Sequence, residues 1–262
     1  MKICILKGPD PRHAYFAQKV SSLPSHDYLC LTHRRVNKNR LLNMMIKSPV
    51  TFFNRVSKYI FYTFVKWKLR EKVYFKINKI PDEFIVESYN SDETFDLISD
   101  FGPDLIVVFG TPIISNRIMN LAQFGAINLH GGISPDYKGG NTIFWALYNG
   151  EVEKAGATLH YMIEKVDSGD ILAKVYPDIK STDDEFTVSA KTFEYATNEM
   201  CRIIKKIDSE HRILPGEKQT EKGKLYLAKD RTLLKDFIGL FRIKKNLKNV
   251  SLIKRIERYY DK

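Results

Sequence analysis

Three polar residues set among apolar ones raise the first chemical question. In "AINLH" (126–130), Asn128 and His130 interrupt a run of strand-forming residues. A spacing of two puts both side chains on one face of a strand. They close that run, and open α/β sheets place their ligand crevices beyond the C-terminal ends of their strands. A third group, Asp167, sits in "KVDSGDIL" (165–172), a tight turn between two further strand-like runs. An amide, an imidazole and a carboxylate on neighbouring loops can exchange protons and can donate hydrogen bonds to an oxygen on which charge develops. Singly, each has a duller part to play: Asn128 as a turn cap, His130 as a hydrogen-bonded core histidine, Asp167 as a plain Asp-Ser-Gly turn residue. The stretch Gly131–Gly140 favours the chemical reading, because its glycines let backbone approach a ligand closely.

The elements that must position these groups follow from hydrophobic pattern. "KICIL" (2–6), "YLCLT" (28–32), "DLIVVFG" (104–110), "AINLH" (126–130), "ATLHYMI" (157–163) and "DILAKVYP" (170–177) read as strands. Helix-length segments lie between or after them, at 11–22, 92–101, 115–122, 142–149 and 184–206. Strand and helix in alternation predict an α/β fold with a mostly parallel sheet, the later strands turning antiparallel. Residues 1–208 form the body, with a basic helical insertion over about 34–80, and residues 209–262 form an extension.

The net charge of +11 is concentrated. Residues 33–80 carry 13 Lys/Arg against the single acid Glu71, and residues 209–262 carry 15 against 7 acids, so the rest of the chain is net acidic. Within the insertion Phe53, Val56, Ile60, Phe64 and Trp67 make one apolar stripe at helical spacing after Ser48-Pro49, a cap and first-turn pair. Such a helix is expected to pack on the sheet edge or on a second subunit with its lysines solvated. The alternative is contact with an anionic partner. In the extension, "GKLYLAKD" (223–230) reads as an edge strand, with amphipathic segments at 234–241 and in "NVSLIKRIERYY" (249–260), where one or two helices are expected.

Several classes drop out. The longest apolar run, "YIFYTFV" (59–65), is far short of the roughly 18 residues that cross a membrane. The start, "MKICILKGPDP", lacks the apolar core of a signal peptide, so a cytoplasmic protein is expected. Cys4, Cys30 and Cys201 are widely spaced, and the histidines form no ligand cluster, so no metal site is expected.

"INLHGGISPDYKGG" (127–140) resembles the signature of the formyltransferases that use N10-formyltetrahydrofolate, Asn-x-His followed by a Ser-Leu-Leu-Pro-x-Tyr-Arg-Gly element. "LYNGEVEKAGATLHYMIEKVDSGDIL" (147–172) is similar to the family's next block, with Asp-Ser/Thr-Gly-Asp. The likeness is close over about 102–175 and looser before that. One departure is Ile133-Ser134-Pro135 in place of the Leu-Leu-Pro element. The resemblance implies a Rossmann-like formyltransferase fold, with Asn128, His130 and Asp167 as the catalytic trio. It implies that Phe109, Gly110, Thr111, Pro112, Ile113 and Ile114 meet the pterin on one side and Val166 and Asp167 on the other. Tyr137, Lys138, Asn141 and Trp145 are then expected at the acceptor substrate.

By that resemblance the reaction is attack of a neutral amine on a formyl carbon. Asn128 and His130, the latter as donor or cation, would meet the oxyanion, and Asp167 would raise the His130 pKa towards imidazolium. Either His130 or Asp167 would take the amine proton. "GGNTIFWAL" (139–147) and "RHAYFAQKV" (12–20) are nearest to the amino-sugar enzymes, GDP-perosamine formyltransferases among them. The acceptor expected is therefore a nucleotide-linked 4-amino or 3-amino deoxysugar destined for cell-surface polysaccharide such as O-antigen, carried by GDP, dTDP or UDP. Other readings are a methionyl-tRNA formyltransferase, against which the missing C-terminal β-barrel counts, and a formyltetrahydrofolate deformylase, against which the first strand starting at Lys2 counts. A non-catalytic polyanion-binding protein would need the trio to be coincidence. No stable nucleic-acid partner is expected, and the stripe and tail suit a homodimer.

Overall fold

The structure, a computed structural model, describes residues 1–34, 45–77, 83–219 and 223–261. In chain order its elements are β1 (Lys2–Lys7), α1 (Pro11–Ser21), β2 (Asp27–His33), α2 (Pro49–Phe64), α3 (Trp67–Phe75), β3 (Glu83–Val86), α4 (Asp92–Phe101), β4 (Leu105–Phe109), α5 (Asn116–Met119) and β5 (Ala126–His130). Then come β6 (Tyr137–Gly139), α6 (Thr142–Asn149), β7 (Ala157–Tyr161), β8 (Ile171–Tyr176), β9 (Ile179–Lys180), α7 (Glu185–Glu210), β10 (Lys224–Tyr226), α8 (Leu233–Leu247), β11 (Ser251–Leu252) and β12 (Arg255–Arg258).

Eight strands make one sheet in the order β12-β8-β7-β5-β4-β1-β2-β3. The five from β3 to β5 are parallel, and β7, β8 and β12 continue antiparallel. In β1 side chains alternate between two cores. Ile3 and Ile5 meet Phe16 and Val20 of α1 and Ile203 of α7, whereas Cys4 and Leu6 meet Ile98 of α4 and Ile118 of α5. Burial on both faces is why these strands read as unbroken apolar runs. Helix α4 shows how local sequence sets its ends. The Ser91 hydroxyl accepts from the Thr94 N–H at 3.4 Å, and Gly102, at φ 61°, turns the chain into Pro103.

The chain runs outward from β1 to β2 and β3, then returns to β4 and β5 on the other side. That reversal opens a crevice beyond the carboxyl ends of β1 and β4. The register of β7 on β5 sets Thr158 opposite His130 and Tyr161 opposite Ile127, and the segment after Tyr161 doubles back to set Asp167 against His130.

The structure departs from the sequence-based reading in three places. The described part of the insertion is a helix pair, but it packs on other helices and not on the sheet edge; residues 35–44 and 78–80 lie outside the described residues. Its α3 half is held to α1 by the Arg12–Glu71 ion pair at 2.5 Å, while Phe61 of α2 meets Phe237 of α8 at 5.7 Å between ring centroids. Phe53 and Ile60 of the apolar stripe face outward, 69% and 61% exposed. Second, β10 pairs with β6 in a small two-stranded sheet instead of edging the main one. Third, the segment expected to be helical near the end supplies β12, the edge strand of the main sheet. Its amphipathic look comes from alternation, with one side on α7.

That edge is anchored by Glu199 of α7, 2% exposed, which accepts from Arg258 Nε at 2.5 Å and Nη2 at 3.0 Å and from the Tyr260 hydroxyl. Glu199→Ala strands both donors. With the Arg258 side chain still 30% exposed, the low end of the cost of breaking a buried pair applies, about 3 kcal/mol. Urea unfolding followed by circular dichroism measures it, and an unchanged midpoint would mean that β12 is held by other contacts.

Candidate active site

Asn128 and His130 leave β5 on the same face, and β7 pairs against them so that His160 lies opposite Asn128 and Thr158 opposite His130. The Asn128 amide nitrogen lies 3.3 Å from His160 Nε2. His160 Nδ1 lies 2.7 Å from the Tyr161 carbonyl, which can only accept. The ring therefore carries its proton on Nδ1 and offers Nε2 as the acceptor that orients the amide. One amide N–H is used in this way and the other is left for a ligand.

His130 is tied in the opposite sense. Its Nε2 donates to the Tyr137 carbonyl at 2.8 Å. Gly132 makes room for that bond, since a Cβ there would stand 2.7 Å from both His130 Nε2 and the Tyr137 oxygen. The unprotonated Nδ1 is left 3.4 Å from Asp167 Oδ2. Asp167 sits in its turn at φ 48°, accepts from the Gly139 N–H at 2.9 Å and places Oδ1 3.6 Å from His160 Nε2.

The electrostatics follow from burial. Burying the His130 ring lowers its pKa below the ordinary histidine value, and the attraction of Asp167 does not make this up. The sequence-based expectation of an imidazolium is thus corrected: His130 is neutral at pH 7. Burial pushes the Asp167 carboxyl up, but the attraction of a protonated His130 and the Gly139 N–H bond outweigh it at acid pH and hold the group at about 2. Asp167 is ionised throughout the physiological range. Its depressed pKa contributes stability above about pH 4, lost as pH falls towards 2.

These groups stand in a cleft of about 400 Å³, walled by backbone and side chains of 109–114 on one side and 162–167 on the other. All the residues expected to meet a pterin, Phe109, Gly110, Thr111, Pro112, Ile113, Ile114, Val166 and Asp167, line it, as do Asn128 and His130. Ile113, Ile163 and Val166 expose apolar side chains to the cleft, at 74%, 49% and 45%. Apolar walls beside backbone donors and acceptors suit a flat heteroaromatic ring with a polar edge.

The four residues expected at the acceptor stand outside the lining of this cleft. Tyr137 is buried, its ring stacked on Tyr226 at 5.5 Å and its hydroxyl 3.1 Å from Glu151. Trp145 is buried on the other face of Tyr226, 5.0 Å away. Asn141 stands before α6 at φ 57°, and Lys138 bonds the Ser168 hydroxyl at 3.2 Å beneath Asp167. None of the four lines the cleft, which takes Gly139 and Gly140 from this loop. Sequence reasoning passed over His160, because a lone histidine in an apolar strand reads as core. Its signal is register, visible only once the strand is known to pair antiparallel with "AINLH".

Known proteins resemble this chain in sequence and in fold. A curated methionyl-tRNA formyltransferase from Bacillus licheniformis is 39% identical over 107 residues, 40% of this chain and 33% of that protein. A GDP-perosamine N-formyltransferase from Brucella melitensis is 32% identical over 127 residues, 48% of this chain and 49% of that protein. The chain thus spans less than half the length of these curated relatives. In fold it is similar to a formyltransferase from Anoxybacillus kamchatkensis solved with UDP-4,6-dideoxy-4-formamido-L-AltNAc and tetrahydrofolate, with TM-score 0.53 and 16% identity over 95% of this chain and 98% of that one. The sequence profile described as formyl transferase matches residues 68–204, just over half of the chain and the whole of the cleft. The chain belongs to the formyl transferase family.

Proposed function

We propose that this chain transfers a formyl group from N10-formyltetrahydrofolate to the amine of a nucleotide-linked amino deoxysugar. The observation that carries the reading is the pairing of a free amide N–H on Asn128 with an unprotonated His130 Nδ1 backed by an ionised Asp167, all in one apolar-walled cleft. The apolar side chains and backbone of 109–114 and 162–167 would hold the folate ring. When bound, the donor supplies an activated formyl carbon.

The residues of the chain divide the remaining work. Attack by a neutral amine builds negative charge on the formyl oxygen, and the second N–H of Asn128 is placed to meet it. One such donor contributes roughly 3 kcal/mol, about a hundredfold in rate. The amine nitrogen becomes cationic and must lose a proton. Asp167, at about 2, is too weak a base to take it at neutral pH. His130 Nδ1 is the stronger acceptor, and the adjacent Asp167 charge stabilises the imidazolium formed for that moment. The same proton would pass to N10 as the C–N10 bond breaks and tetrahydrofolate leaves. His130 is thus a base in this reading and not an oxyanion donor, because its one N–H is bonded to Tyr137.

The sugar acceptor is supported by the GDP-perosamine N-formyltransferase relative. A methionyl-tRNA acceptor is the second reading, favoured by the 39% identical relative.

Four outcomes are expected. Purified protein given N10-formyltetrahydrofolate and a panel of nucleotide-linked amino sugars releases tetrahydrofolate with one of them only. Release with methionyl-tRNA alone would move the acceptor to the second reading, and release without any amine would mean hydrolysis. Asn128→Ala and His130→Ala each lower kcat by at least about a hundredfold; near-normal turnover in either removes its role. The acidic limb of kcat/KM falls below pH 6.5, the ordinary histidine value, because burial depresses His130. In Asp167→Asn that limb moves lower still as turnover drops, since the charge that favours imidazolium is gone; a shift upward would contradict the assignment.

A further inference from the structure

The outward side of the helical insertion and extension has no part in the cleft chemistry, and its composition is unusual for a water-facing surface. Phe53 and Ile60 on α2 and Phe241 on α8 are 69%, 61% and 78% exposed, and the two helices touch through Phe61 and Phe237. Large apolar side chains exposed on two helices that touch mark a contact site. Its charge is one-sided. Residues 45–77 and 233–248 contain 13 Lys/Arg and only two acids, Glu71 and Asp236. Both acids are turned inward, 3% and 1% exposed, and held by Arg12 and Arg231. Lys66, Lys68, Lys72, Lys76, Arg242 and Lys245 face water.

An open groove of about 460 Å³ lies where α2 meets α3, lined by aliphatic Val65, Leu69 and Val73 and by Phe186. Lys66 and Arg70 also line it, and Arg70 is paired with Asp184 at 2.7 Å. An apolar slot with cations beside it matches an acyl chain under an anionic headgroup.

We propose that the face formed by α2, α3 and α8 docks this protein on an anionic membrane surface. Exposed aromatic and aliphatic side chains enter the headgroup boundary while the flanking lysines meet acidic lipid. Among the described residues no helix is long and apolar enough to cross a membrane, so attachment by this face is peripheral. Charge separates this occupant from a second copy. A two-fold contact sets each patch against itself, and here that opposes cation to cation, with Glu71 and Asp236, the carboxylates of these helices, buried. Nucleic acid would satisfy the lysines but leaves Ile60, Leu69 and Val73 without an apolar partner.

The full chain is mixed with sedimentable vesicles of phosphatidylglycerol and phosphatidylcholine in equal parts, and with phosphatidylcholine vesicles alone. Wild-type protein sediments with the acidic vesicles, is released by salt, and stays in solution with the neutral ones. The pair Lys72→Glu and Lys245→Glu weakens binding by more than about tenfold, each basic residue near an acidic surface contributing about fivefold. The pair Phe53→Ser and Phe241→Ser weakens it as well, while formyl transfer to a soluble acceptor is unchanged in both. Equal sedimentation with neutral vesicles, or binding that ignores all four substitutions, would overturn the proposal. So would a wild-type dimer on sizing that Phe241→Ser splits, without vesicle binding, since the face then belongs to a second copy. Retention on DNA with no vesicle binding overturns it in favour of nucleic acid.

Discussion

A histidine whose one proton is committed to a carbonyl has a lone pair on its other nitrogen, and the chemistry of this cleft turns on that constraint. His130 Nε2 is bound to Tyr137 and the ring is buried, so a second proton is resisted until a reaction delivers one. Asp167, 3.4 Å from the bare Nδ1, sharpens the arrangement. Two acceptors face each other across a short gap, and the pair is relieved when a proton enters it. A free carboxylate in water would serve poorly as a base, as would a histidine already charged. Placing them together, dry and with the Gly139 N–H holding the carboxylate in position, makes a proton acceptor suited to an amine losing its hydrogen.

The sheet exists in a form that makes this possible. Five parallel strands supply a crevice at the β1/β4 reversal, but parallel strands alone leave one side of it open. The segment after β7 supplies the second wall, doubling back from the Ile127 end of the strand pair to set Asp167 against His130. His160 comes with β7 and Asp167 with the turn after it. Thr158 joins the neighbouring loop to the same strand, donating to the Gly132 carbonyl at 2.6 Å and accepting from the Ser134 N–H at 2.9 Å. Small side chains are required where loop and ring come close, which is why Gly132 cannot carry a Cβ without displacing His130.

Much of this was legible in the amino-acid sequence. Unbroken apolar runs marked the buried strands, alternation with helix-length segments marked the fold class, and a two-residue spacing put Asn128 and His130 on one face. What escaped depended on pairing or on side chains competing for partners. His160 joins the cleft by register alone. The protonation of His130 depends on whether burial or Asp167 prevails, and no local pattern records that balance. Amphipathic spacing identified α2 as a helix but not its packed face: Phe61 is buried while Phe53 and Ile60, in the predicted stripe, look outward. The strand Glu83–Val86 was missed because it is a short edge with largely exposed side chains, so the signal of burial was absent. The stacking of Tyr137 and Trp145 on Tyr226, a residue 81 to 89 positions away, is likewise invisible to local pattern.

The most direct test is the protonation state of His130 in the folded protein. Long-range proton–nitrogen correlation spectra of histidine-labelled protein at pH 7, with His130→Ala used for assignment, report each ring nitrogen separately. The account predicts a neutral His130 ring protonated on Nε2, with a bare Nδ1. A doubly protonated ring, or a proton resting on Nδ1, would contradict it, since His130 would then have no lone pair to receive a proton from the amine.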